Sequence, residues 1–137
     1  MKPTTQEWID KAEGNFSSAY ILLSQPKPNV DLVCFLSQQC IEMYLKACLQ
    51  ELGVFTPKTH VLPALLDLLL PTISDWESMR PELTSLSAYA VDFRYPGALA
   101  TREMAVTALQ DCTKVRKTIR QHIGLDNEDT VEAGEEE

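Results

Sequence analysis

Residues 30–53 read VDLVCFLSQQCIEMYLKACLQELG, and this stretch decides the fold class. Leu36, Cys40, Met43 and Ala47 recur at spacings of three and four and form one apolar stripe. Ile41, Tyr44, Leu45, Cys48 and Leu52 form a second stripe beside it. A helix that is apolar around most of its circumference sits at the centre of a protein, so 30–52 is expected to be the hub of a helical bundle. Gly53 supplies the C-cap.

Working outward, the chain before the hub carries Trp8, Ala12, Phe16, Ala19, Tyr20 and Leu23 at helical spacing. Thr4 with Glu7 three residues on fits a capping box at its start. Pro26 and Pro28 end it, because neither can donate to a helical ladder. After the hub, Thr59 is expected to cap a shorter helix with Leu62, Leu65, Leu66 and Leu69, closed by Pro71. A fourth helix is predicted to begin near Pro81, a residue suited to a first turn, and shows Leu83, Leu86, Ala90 and Phe93. Pro96 disfavours helical backbone at Tyr95, so Arg94-Tyr95-Pro96-Gly97 leaves that helix. Thr101 then caps a last helix with Met104, Ala108, Cys112, Val115, Ile119 and Ile123 on one face, ended by Gly124. No run alternates with period two long enough for a strand, and no segment repeats at 20–50 residues. The expectation is an all-α, antiparallel up-and-down bundle of four long helices plus one short helix over residues 1–124.

The bulk properties agree. A chain of 137 residues with 45% hydrophobic content suits one domain. Its net charge of −8 is concentrated at one end, since 126–137 holds seven acidic residues and no basic one. That leaves 13 acids and 12 bases over residues 1–125, so the folded part is nearly neutral. Residues 125–137 are expected to be an acidic disordered tail, and a neutral bundle offers no extensive nucleic-acid surface. The first residues lack a signal-like apolar region, and Leu65–Leu70, the longest apolar run, is interrupted by Asp67. No membrane association is expected, and the location expected is cytoplasmic. Cys34, Cys40, Cys48 and Cys112 lie in apolar helical stretches without a CxxC pair, as reduced core residues do.

Four groups of polar residues could carry function. Gln39, Glu42 and Lys46 line one face of the hub helix, with Glu42 and Lys46 in the favoured order for an i,i+4 ion pair. They read either as a solvated strip or as a polar patch at a groove or dimer seam. His60, at the start of the third helix, is either a structural hydrogen-bonder or a ligand. Arg94 and Tyr95 could pair with a phosphate and stack on a base, or cap the fourth helix and fill a seam. Lys114, Arg116, Lys117, Arg120 and His122 crowd the end of the last helix, where cations complement the helix dipole. There is no glycine-rich phosphate loop, no histidine pair at metal spacing and no GxSxG elbow. Two histidines in the whole chain leave little for metal or triad chemistry, and no cofactor or metal is expected.

Taken in order, these residues resemble a known family. The ordered features are Trp8 and Ala12; Phe35-Leu36-Ser37-Gln38-Gln39-Cys40-Ile41-Glu42 with Lys46-Ala47; Gly53; His60-Val61-Leu62; and Arg94-Tyr95-Pro96. This arrangement resembles the HEPN domain (higher eukaryotes and prokaryotes nucleotide-binding) over residues 5 to 123. The resemblance implies a bundle of four or five helices, commonly homodimeric, that accompanies a minimal nucleotidyltransferase. Some members are proposed to bind nucleotides. Others are metal-independent ribonucleases of toxin–antitoxin systems and use an arginine and a histidine four to six residues apart near the start of the last long helix. Here residues 95–101 contain no histidine after Arg94. Arg116 and His122 match in spacing, but at the far end of the helix, where six residues turn through about 600° and point the two side chains apart. The resemblance therefore implies an accessory protein without a catalytic residue, with Gln39, Glu42, Lys46, His60, Arg94 and Tyr95 as ligand contacts. The alternative is a metal-independent ribonuclease, using Arg116 with His122 or Arg94 with His60 brought together by folding.

Overall fold

The computed structural model describes residues 1–90 and 99–125, and every ordered element among them is helical. Helix α1 spans Pro3–Leu23, α2 Val30–Leu52, α3 Leu62–Leu69, α4 Arg80–Ser87 and α5 Arg102–His122. Short 3-10 turns at Ser74–Met79 and Ala88–Ala90 lead into and out of α4. Three of the helices exceed 20 residues and two have eight. Phe93, expected on the fourth helix, lies outside the described residues.

Helix α2 is the hub. More than half of its 23 residues are buried, against four of 21 in α1, and it packs on α1, α3, α4 and α5. Ile41, Tyr44, Leu45, Ala47 and Leu49 are wholly removed from solvent, and Leu62, Leu65, Leu66, Leu83, Leu86, Cys112, Val115 and Ile119 close around them. All four cysteines are buried free thiols. Burial pushes the Cys48 thiol up to about 12 and the Cys34 thiol to about 11, so they are packing groups with little thiolate character.

The helix ends follow local rules at most points. Asn29 accepts from Leu32 N at the start of α2, and Thr101 accepts from Met104 N at the start of α5. Gly53 adopts φ 71°, with Gly53 N donating to Gln50 O and Val54 N to Leu49 O, which is the Schellman pattern. Gly124, at φ 85°, closes α5 the same way.

Two predicted caps are not formed. The first helix begins at Pro3, with Lys2 as N-cap and no side-chain cap, instead of at a Thr4–Glu7 box. Pro3 presets the helical φ, and tertiary contacts hold the turn: Lys2 N and Thr5 Oγ1 both donate to Glu51, and Lys2 Nζ donates to Gln50 O. Thr59 does not cap α3, which starts three residues later at Leu62. Its hydroxyl instead accepts from Val61 N, and Leu62 N donates to Ser87 Oγ of α4. Among the described residues no helix is long and apolar enough to cross a membrane.

Candidate binding site

Gln38, Glu42 and Lys46 stand four residues apart on α2, so they rise along one face of the helix that also faces the loop between α2 and α3. Glu42 is 1% exposed and Lys46 7%, so the reading of this face as a solvated strip is wrong: His60 of the following loop and Trp8 of α1 lie against it. Gln38 takes the position expected for Gln39. Gln38 Nε2 donates to Glu42 Oε1 at 3.0 Å, Lys46 Nζ donates to Glu42 Oε2 at 2.9 Å, and the Lys46 ammonium lies 5.8 Å from the centre of the Trp8 ring. Gln39 is half-buried and stands outside this hydrogen-bonded group. An i,i+4 step drifts by only about 40° per turn of helix, so Gln38 shares the face of Glu42 that meets the loop.

His60 completes the cluster. Its Nδ1 lies 3.0 and 3.2 Å from the two Glu42 oxygens. An ionised carboxylate only accepts hydrogen bonds, so Nδ1 carries a proton, and in the neutral form of the ring the lone pair falls on Nε2. Residue 60 immediately precedes the N-cap Val61 of α3 rather than opening the helix, and its ring reaches across to α2. Its backbone is fixed as well: the His60 carbonyl accepts from Gln38 Nε2 and from Ser87 Oγ, both at 3.3 Å. The partners differ sharply in exposure, with the His60 side chain 56% accessible and that of Glu42 2%. Burial alone would raise the Glu42 carboxyl, but hydrogen bonds from Gln38, Lys46 and His60 and the Lys46 charge outweigh it and hold the group below the usual carboxylate range.

A second polar cluster, one that helical spacing alone did not bring together, joins α1, α2 and α5. Arg116 Nε and Nη2 each donate to one oxygen of Glu13 at 2.7 Å, a bidentate pair. The Tyr44 hydroxyl also donates to Glu13, and Arg120 Nη1 donates to the Tyr44 oxygen at 3.0 Å. The Arg116 guanidinium lies 4.1 Å from the centre of the Phe16 ring. Arg116 and Arg120 are each 4% exposed, so these two are not surface cations placed for the helix dipole. Their signal in the sequence was Glu13 beside the apolar stripe of α1, facing two arginines four residues apart.

The geometry separates the other candidates. Arg116 is held in the core by Glu13, whereas His122 is exposed and sets its ring against Trp76, with centroids 5.1 Å apart. Arg116 and His122 therefore share no target. Lys114 pairs with Glu82 at 2.8 Å. Arg94 and Tyr95 lie outside the described residues. Of the six residues expected to contact a ligand, the structure brings together Glu42, Lys46 and His60.

Comparison with known proteins agrees with the helical fold. Residues 5–122 match the family described as HEPN domain. The fold superposes on ST0689, an archaeal HEPN homologue, with a TM-score of 0.70 and 26% identity, covering 90% of this chain and 99% of that one. TT1696 from Thermus thermophilus shares the fold at a TM-score of 0.71 and 24% identity, over 88% of this chain and 98% of that one. No curated protein matches the chain.

Proposed function

This chain belongs to the HEPN domain family, and we propose that it acts as a homodimeric accessory protein that binds a nucleotide, a minimal nucleotidyltransferase partner, or both, without catalysing a reaction of its own. The observation that carries this reading is the Gln38–Glu42–Lys46–His60 cluster. It ties three buried polar groups of the central helix to one exposed imidazole, a small, fixed polar point at the edge of the bundle core. Rigid convergent polar groups orient a ligand at low entropic cost.

The engagement of Arg116 with Glu13 supports the accessory role over a ribonuclease built on Arg116 and His122. A ribonuclease needs a cation and a proton-transfer group acting on one phosphodiester. Here the guanidinium already has a carboxylate partner, and His122 packs elsewhere.

Thermal denaturation with and without millimolar nucleoside mono-, di- and triphosphates tests the binding reading. A nucleotide at about 100 times its dissociation constant stabilises the native state by roughly 2.7 kcal/mol, enough to move the midpoint by several degrees. The expected result is a shift that His60→Ala abolishes, with sedimentation of the same sample giving twice the mass of the chain. No shift with any nucleotide, together with failure to capture a nucleotidyltransferase, overturns it. Cleavage of added RNA by the pure protein would instead establish the ribonuclease.

A further inference from the structure

The exposed ring of His60 is held more elaborately than a structural contact requires. Glu42 takes the Nδ1 proton, Gln38 and Ser87 fix the backbone carbonyl, and Lys46 keeps the buried carboxylate charged. Among the described residues, nothing is hydrogen-bonded to Nε2. A histidine used only to bridge two elements can bury its ring; this one presents it, 56% accessible, with one tautomer selected. Selecting that tautomer puts the lone pair on the outward nitrogen, and a carboxylate on the opposite nitrogen increases its electron density. A fixed, electron-rich and accessible imidazole nitrogen is a nucleophile.

We propose that His60 Nε2 is a phosphoryl-acceptor site, modified by small donors with a good leaving group such as an acyl phosphate or a phosphoramidate. The Nε2 lone pair forms the N–P bond while the bond from phosphorus to the leaving group breaks, and its electron pair departs with that group. From an acyl phosphate the carboxylate leaves; from phosphoramidate, protonated on nitrogen, ammonia leaves. Nδ1 keeps its proton, and the positive charge that develops on the ring is met by the Glu42 carboxylate 3.0 Å away. No oxidant, metal or further base is needed. This chemistry does not rest on nucleotide binding, so a chain that ignores every nucleotide would still show it.

The chain carries its own control. It contains two histidines, and the second, His122, is also exposed but lies edge-on to Trp76 without a carboxylate partner among the described residues. The intact protein, incubated with phosphoramidate at neutral pH, should gain one phosphoryl group at His60 well before His122. The adduct should be the Nε2 isomer, alkali-stable and acid-labile, as read by peptide mass spectrometry and phosphorus NMR. Glu42→Gln should slow His60 by about tenfold or more, towards the rate of His122, because an amide selects the tautomer less strictly and withdraws the charge. Modification of His60 no faster than His122, attachment at Nδ1, or an unchanged rate in a folded Glu42→Gln protein overturns the proposal. Should Glu42→Gln not fold, the two-histidine rate ratio and the isomer in the unaltered chain still decide it.

Discussion

Arg116 and His60 show how the same elementary chemistry serves two ends. Each is a nitrogen base set against a carboxylate, Glu13 for the first and Glu42 for the second. In the first pair the cation is buried and the carboxylate reaches the rim; in the second the carboxylate is buried and the imidazole reaches solvent. The first therefore contributes packing and specificity of helix pairing, and the second presents a reactive group. Removing one member of a buried pair strips the other of its strongest partner, and this costs more than the pair contributes; without Arg116, Glu13 keeps only the Tyr44 hydroxyl and the more distant Arg120. Arg116→Ala is accordingly expected to destabilise the fold by about 3 kcal/mol in urea denaturation. Replacing both members, Glu13→Leu with Arg116→Met, should recover most of that loss. A double variant as unstable as the single one would show that the pair is wanted for more than mutual compensation.

Helices α2 and α5 end at left-handed glycines while α1 carries a glycine in its interior, and the two kinds of glycine have opposite consequences. Gly53 ends α2 at φ 71°, a backbone region where a Cβ meets the following carbonyl. Gly53→Ala should thus cost about 1 kcal/mol, although the space around the site is open apart from Lys2 Nζ at 3.7 Å. Gly14 lies inside α1, and a Cβ placed there meets nothing within 4 Å. Gly14→Ala should stabilise the protein by roughly 0.5–1 kcal/mol, because it removes backbone freedom from the unfolded chain without strain. Paired thermal denaturation curves check both signs, and equal effects at the two positions would refute the assignment of Gly53 as a left-handed cap.

Across the bundle, the carboxylates of the two polar clusters, half-buried Glu13 and buried Glu42, contribute to the response to acid. Glu13 is raised by burial but brought below the usual range by hydrogen bonds from Arg116 and Tyr44 and by the charges of Arg116 and Arg120; Glu42 is lowered by its own three partners. A carboxyl whose folded-state affinity for protons is depressed contributes stability in full above its unfolded pKa of about 4.3. That contribution is lost as pH falls through the lower folded value. Urea midpoints should therefore stay flat from about pH 7 to pH 5 and fall steeply below about pH 4. Glu13→Gln should lower the plateau and flatten the acid limb, since one of the linked protons is gone. An acid limb as steep as that of the unaltered protein would mean that Glu13 is not among the groups that drive acid unfolding.

What lies within one turn of helix was readable from the chain. The spacing of apolar residues gives α2 and α5 their buried faces, Pro26 and Pro71 end the helices before them, and Thr101, Gly53 and Gly124 cap ends through groups at most five residues away. The polar sites were not readable to the same depth. Glu13 meets Arg116 across 103 residues, and Glu42 meets His60 across 18. Whether Gln38 or Gln39 joins Glu42 depends on how α2 is rotated against the loop after it. Thr4 and Thr59 lost their expected capping roles because Glu51 and Ser87, distant in sequence, hold the neighbouring first turns. Local periodicity reports which face of a helix is buried, because burial follows the average of many side chains. The partner of a single buried charge is one contact among many, and it exists only once the helices have packed.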